Sequence, residues 1–172
     1  MSGKPTPAER AQPIRMEIKG LMLDPSSNTP IVILRDGEEQ LFLPIWIGVF
    51  EANAIAMELE AARAPRPMTH DLFFNALTAA KVRIEQVVIR DLQDNTFFAT
   101  LGLARGEESF EVDARPSDAL ALALRADAPI FVLPSVIEKA ESTDRVQKIQ
   151  DEDALKRWLA DVDPEDLGKY PM

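Results

Sequence analysis

The sequence contains no cysteine and only one histidine among its 172 residues. The absence of cysteine excludes disulfide bonds, thiolate zinc sites and cysteine nucleophiles. A single histidine excludes metal sites built from several imidazoles, including the two-histidine motif of zinc peptidases. Because histidine is the usual general acid or base near neutral pH, any such chemistry would rest on His70.

Long apolar runs are also missing. The longest, residues 41–50, is interrupted by Pro44 and Gly48, and it has about half the length that a membrane-spanning helix needs. The first 13 residues are polar and proline-rich and lack the apolar core of a signal peptide. These features predict a cytoplasmic protein without a membrane segment.

Basic residues are few: 19 lysines and arginines stand against 29 acidic residues, which gives a net charge of −10. Nucleic-acid binders normally present a basic face, so this chain could present one only as a local patch. Acidic groups could instead gather a divalent cation that then meets phosphate. Composition leaves both possibilities open.

Short stretches rich in alternating or β-branched apolar residues predict strands over 14–24, 31–34, 40–47, 82–92, 96–103, 109–113 and 129–133. Helical spacing and start signals predict helices over 49–63, from Thr69, from Pro116 and over 151–161. The inner face of the second helix is predicted to carry Phe73, Ala76, Leu77 and Ala80.

Tight turns between successive strands predict antiparallel hairpins, so the fold class is α+β, with a mostly antiparallel or mixed sheet packed with helices. The length suits one domain, expected over 14–139. A flexible arm is predicted over 1–13 and a helical extension over 140–172.

A first polar cluster precedes the second helix and contains Arg66, His70 and Asp71. The planar guanidinium of Arg66 suits a phosphate, and His70 is the candidate acid or base. Asp71 could orient His70 or bind a cation. The alternative is structural: Thr69 and Asp71 cap the helix, and His70 packs or faces water.

A second polar cluster runs from a strand end into the start of the third helix and contains Asp113, Arg115, Ser117 and Asp118. The exposed N–H groups of a helix start, with Arg115 beside them, make an anion site. Asp113 and Asp118 could supply carboxylate oxygens to a divalent cation. The alternative is that both acids cap the helix and Arg115 pairs with one of them.

Five segments in this order resemble the bifunctional nuclease domain family: SNTPIVIL at 27–34, LPIWIG at 43–48, PRPMTHDL at 65–72, DNTFFA at 94–99 and DARPSDALALA at 113–123. The resemblance covers about residues 14–139, with Met68 standing where leucine is expected. It implies an α+β domain, often a homodimer, with nuclease activity on DNA and RNA. It brings no assignment of catalytic residues.

These observations lead to two hypotheses. In the first, the two polar clusters converge and hydrolyse phosphodiesters: Asp113 and Asp118, with Asp71 as a third candidate, hold Mg²⁺ or Mn²⁺, Arg66 or Arg115 binds phosphate beside Ser117, and His70 is the acid or base. In the second, the chain is a non-catalytic dimeric binding or regulatory module that recognises a small anion or a protein partner. The acidic charge favours the second. No organic cofactor is expected.

Overall fold

The computed structural model describes residues 12–142. The helix predicted over 151–161 lies outside the described residues, and so does all but the end of the arm predicted over 1–13. The described residues form a seven-stranded sheet with four helices, which confirms the predicted α+β class.

The first sheet segment consists of β1 (Ile14–Leu23), β2 (Pro30–Asp36) and β3 (Phe42–Trp46), each antiparallel to the next. The four apolar residues at 31–34 in β2 are all buried, which explains why this strand shows no polar alternation. Pro44 lacks an N–H for the ladder, and β3 is accordingly an edge strand.

The chain continues through two helices into a second antiparallel segment. The elements are α1 (Val49–Leu59), α2 (Thr69–Ala79), β4 (Arg83–Gln93), β5 (Thr96–Arg105) and β6 (Glu108–Ala114). They are followed by α3 (Pro116–Ala126), β7 (Ile130–Val132) and α4 (Pro134–Glu141). Pro116 takes the first helical position of α3, as its fixed φ favours.

The short strand β7 joins the two segments into one sheet with the order β3-β2-β1-β7-β4-β5-β6. It runs antiparallel to β1 and parallel to β4, so the sheet is mixed. The end of β3 and the turn between β4 and β5 nevertheless line one cleft, although three strands separate β3 from β4. The sheet is therefore strongly curled.

Helix α3 forms the centre of the core. Its residues 119–123 are almost completely buried, and it packs against α1, α2, β4 and β5. This stretch consists of alanine and leucine, and a helix that is apolar on all its faces is a buried one. None of the helices in the described range is long and apolar enough to span a membrane.

Three predictions about the helices were wrong or incomplete. Helix α1 ends at Leu59 rather than at residue 63, because Ala61 adopts a left-handed conformation with φ 52°. Helix α2 has no fully buried residue; Phe73, Ala76 and Ala80 are exposed, and it packs through Phe74 and Leu77. Helix α4 was not predicted.

Candidate active site

The two polar clusters converge at the starts of α2 and α3. The Nε2 atom of His70 lies 2.9 Å from Oδ1 of Asp118, although 48 residues separate them in the chain. Each helix begins directly after an extended residue, Met68 in one case and Arg115 in the other. The packing of α2 on α3 brings the two helix starts together.

Arg115 extends this contact into a chain of charged groups. Its Nε donates to Oδ2 of Asp118 at 2.8 Å, and its Nη2 donates to Oε1 of Glu51 at 2.7 Å. These two hydrogen bonds raise the pKa of the Arg115 guanidinium. The side chain is still 67% exposed, so the guanidinium can also reach a molecule from solution.

Asp118 keeps its charge in this arrangement. Burial by itself raises the pKa of the carboxyl, but the hydrogen bonds from Arg115 and His70 outweigh burial and leave the pKa below its ordinary value. Both carboxylate oxygens are engaged, one by each partner. Asp118 therefore fixes the orientation of the imidazole and the guanidinium at once.

Gly48 leaves space for Glu51, the glutamate that binds Arg115. A Cβ atom built at Gly48 would overlap the carboxylate of Glu51, which folds back over the start of α1. Glu51 in turn is mostly buried and holds Arg115. The glycine therefore permits the position from which Glu51 orients Arg115.

These side chains line one wall of a groove of about 640 Å³, here called the histidine groove. It is defined by His70, Asp118, Arg115 and Glu51 together with apolar side chains of α1, α2 and β6. The apolar members include Phe50, which is 87% exposed, as well as Met68, Phe73 and Val112. The groove thus joins charged and apolar surfaces.

The remaining predicted residues lie at or beyond the margins of this groove. Asp113 lines it, but its Oδ1 accepts a hydrogen bond from Nη2 of Arg90 at 2.9 Å. Asp71 accepts one hydrogen bond from the backbone N–H of Met68 at 2.8 Å and another from Nε of Arg125 at 2.7 Å. These contacts hold the pKa of Asp71 below its ordinary value, with the Met68 N–H as the main cause.

Arg66 does not join His70 and Asp118. It lines a separate hollow of about 340 Å³ beside Asp71 and Arg125. Ser117 is 5% exposed in the first turn of α3 and lines a second cleft on the opposite side of Arg115. The structure therefore groups Arg115 with His70 and separates Arg66 from them.

The acidic side chains of the described range do not converge on a point. No group of three or more histidine, aspartate or glutamate residues within 12–142 is arranged to hold a metal ion. The oxygens of Asp118 are already engaged by His70 and Arg115, and Asp113 is paired with Arg90. These donors do not fit a cation held by protein groups alone.

Sequence reasoning missed Arg125. Its side chain is 4% exposed, and its Nη1 donates to the carbonyl oxygens of Ala121 at 2.8 Å and Ala54 at 3.3 Å. The available signal was its position: a charged residue directly follows the apolar run 119–124 of a buried helix. A charge so placed must find partners inside the protein.

Comparison with known proteins places these features in a family. The model of the bifunctional nuclease domain matches residues 32–145. An uncharacterized protein of Mycobacterium tuberculosis is 37% identical over 161 residues, covering 88% of this chain and 96% of that protein. Bifunctional nuclease 1 of Oryza sativa subsp. japonica is 26% identical over 112 residues, covering 63% of this chain and 34% of the rice protein.

Proposed function

Because the chain belongs to the bifunctional nuclease domain family, we propose that it is a nuclease that hydrolyses phosphodiester bonds of DNA and RNA in the histidine groove. The observation that carries this proposal is the contact between His70 and Asp118, with Arg115 on the other oxygen of the same carboxylate. The proposed acid–base group, His70, and the proposed phosphate-binding group, Arg115, are thus both held by the carboxylate of Asp118. The rice relatives bear the name of bifunctional nuclease.

In this proposal, His70 takes the proton of the attacking water while the water oxygen bonds to phosphorus. The bond from phosphorus to the leaving oxygen breaks, and the leaving oxygen takes up a proton from solvent water. Asp118 keeps the imidazole oriented and stabilises the imidazolium that forms. Arg115 binds the non-bridging phosphate oxygens, whose charge increases in the transition state.

Asp71 acts as a positioning residue in this proposal. Its hydrogen bonds to the Met68 N–H and to Arg125 fix the first turn of α2 on α3. His70 is its neighbour in that turn, so the anchor sets where the imidazole lies. Asp113, paired with Arg90 at the rim, borders the same groove.

A role for Mg²⁺ or Mn²⁺ near Asp113 and Asp118 stays a prediction. Magnesium ions that bind substrate phosphates are often held by only one or two protein carboxylates, with water and the phosphate supplying the other ligands. The assay below therefore includes the metal as a variable.

We test the proposal with plasmid DNA and a labelled RNA, each with Mg²⁺, with Mn²⁺ and with EDTA. Both His70→Ala and Asp118→Asn should lower the cleavage rate by about a hundredfold or more, because general acid–base catalysis contributes that much. Asp127→Asn is the matched control. Asp127 directly follows the same helix as its C-cap, is exposed and has a φ of 50°, which asparagine tolerates.

Cleavage that His70→Ala and Asp118→Asn leave at the level of wild type would come from a contaminant and would overturn the proposal. A loss equal in Asp127→Asn would point to damaged folding, which circular dichroism of each variant detects. Cleavage that occurs with Mg²⁺ or Mn²⁺ and is lost when EDTA is added supports the predicted metal.

One observation favours the alternative, a dimeric binding module. Phe50, Met68, Phe73 and Val112 line the histidine groove and are exposed, and so are Val49, Leu72 and Phe110, which are their neighbours in the same elements. Exposed apolar patches of this kind mark interaction sites. Sedimentation equilibrium of wild type and Phe50→Ser distinguishes the cases: a dimer that the variant dissociates, without any nuclease activity, supports the binding module.

A further inference from the structure

A second cavity of about 320 Å³ lies on the other side of Arg115, and the hydrolytic scheme does not use it. We call it the polar cleft. Four separate segments line it, and they contribute Thr29, Trp46, Asn95, Thr96, Arg115 and Ser117. Its volume is at the lower end of the range of small-molecule sites.

The charge of the polar cleft differs from that of the whole chain. Among the described residues that line it, Arg115 is the only charged one and none is acidic. The N-terminus of α3, an 11-residue helix, adds the positive end of its dipole. In a chain with a net charge of −10, the lining of this cavity thus carries one cation and no acid, although that cation also pairs with Glu51 and Asp118.

Ser117 contributes a hydroxyl to the polar cleft. The residue is 5% exposed, and its hydroxyl makes no hydrogen bond to any residue that the structure describes. No buried side-chain oxygen or nitrogen of the described residues lacks a partner, so this hydroxyl is accessible and can donate to or accept from a bound molecule. The residue lines the polar cleft, so a molecule in the cleft can reach this hydroxyl.

The other lining groups point to a flat molecule with several polar atoms. The Asn95 amide and the hydroxyls of Thr96 and Ser117 can each donate and accept hydrogen bonds. Trp46 contributes an aromatic side chain to the lining, and its Nε1 donates to Oδ2 of Asp24 at 2.9 Å, which fixes the ring. Bases and sugars of nucleic acids match this combination of stacking and polar contacts.

We propose that the polar cleft binds the nucleoside portion of the nucleotide adjacent to the phosphate held by Arg115. The inference rests on the proposed nuclease function, because it takes that phosphate as the point where two subsites meet. The base lies against Trp46, and Asn95, Thr96 and Ser117 bond its edge or the sugar hydroxyls. The reacting phosphate then lies between the polar cleft and the histidine groove.

Binding is measured without any cleavage step. Adenosine and uridine 5′- and 3′-monophosphates and inorganic phosphate are titrated into the full chain by calorimetry. In a Trp158→Phe variant, Trp46 is the only tryptophan and its fluorescence reports on the polar cleft. We expect at least one nucleotide to bind about tenfold more tightly than phosphate and to change this fluorescence.

Substitutions then locate the site. Ser117→Ala and Asn95→Gly should each weaken nucleotide binding about fivefold, the value of one hydrogen bond; glycine suits the φ of 60° at residue 95. Ser135→Ala is the matched control, because Ser135 follows Pro134 at the start of α4 as Ser117 follows Pro116, but is exposed. It should bind like wild type.

Equal affinity for phosphate and nucleotides, or an unchanged Trp46 signal, would overturn the inference. Thermal melting of each variant shows whether a loss of binding is a loss of folding. Cleavage that needs His70 but is unaffected by Ser117→Ala and Asn95→Gly would leave the nuclease proposal standing without this subsite. Nucleotide binding in the polar cleft without any cleavage would support the binding site and overturn the nuclease proposal.

Discussion

The fold lowers the pKa of some carboxyl groups of this acidic chain, and Asp91 is one of them. Its Oδ1 accepts hydrogen bonds from Nζ of Lys139 at 2.6 Å and from the backbone N–H of Leu92 at 2.8 Å. The bond from Lys139, followed by those from Gln93 and Leu92, lowers the pKa of Asp91 to about 2. The folded protein therefore resists protonation there.

Asp91 should stabilise the fold at every pH above its ordinary pKa, and this contribution should be lost as the pH falls through about 2. Asp91→Asn is therefore expected to lower the urea midpoint at pH 7, and its difference from wild type should shrink between about pH 4 and pH 2. Asp94→Asn in the neighbouring turn is the control. A difference that stays constant over this range would contradict the prediction.

The sequence indicated some of the contacts between the candidate site residues but not all of them. The pairing of Arg115 with an acid of its own motif was one of the two interpretations of the second cluster, and the structure shows it with Asp118. The contact of His70 with Asp118 could only be hypothesised, because it depends on how α2 lies on α3. The separation of Arg66 from this site has the same cause: the chain between Arg66 and His70 turns at the start of α2.

Among the elements, α2 is the one that the core holds least. It contains no fully buried residue, whereas most of α3 is buried. Its attachment depends on Phe74, Leu77 and the ion pair of Asp71 with the buried Arg125. An element with so little apolar burial should open more readily than the rest of the domain.

We expect Asp71→Ala to lower the free energy of unfolding by about 2 kcal/mol, because it leaves the Arg125 charge buried without its main partner. The double variant with Arg125→Met should recover part of this loss, since both charges are then removed. Urea unfolding measures both. Hydrogen exchange in Asp71→Ala should become faster in α2 than in α3, and a uniform increase would contradict the anchoring role.

Local patterns predicted most elements and the mixed sheet, but not every helix face. The apolar face drawn on α2 was wrong because periodicity cannot show whether a neighbour covers it, and Phe73 instead lines the histidine groove. Helix α4 was missed because it spans only 8 residues, too few for a clear period. The position of β7 between β1 and β4 depends on long-range pairing.

For the whole molecule, the net charge of −10 opposes the approach of a polyanion. Glu107 precedes the edge strand β6, which borders the histidine groove, and Glu111 lies in it; both side chains are exposed. Long-range repulsion of this kind is screened within about 10 Å at 0.1 M salt. It should therefore affect association and not the chemical step.

If the chain cleaves nucleic acid as proposed, Glu107→Lys combined with Glu111→Lys should raise kcat/KM severalfold at low salt, because the repulsion falls. At about 0.3 M salt the variant and wild type should converge. The kcat should not change at either salt concentration. A gain that persists at high salt would mean a direct contact with the substrate.

The curl of the sheet has a mechanical consequence. Strand β7 pairs through three residues with β1 and three with β4, and the packing of α1 on α3 is the other main bridge between the two halves of the domain. Trp46 belongs to the half formed by β1, β2 and β3, and Asn95 belongs to the half formed by β4, β5 and β6. A ligand bound between Trp46 and Asn95 would connect the two halves, so its binding would raise the free energy of unfolding of the domain.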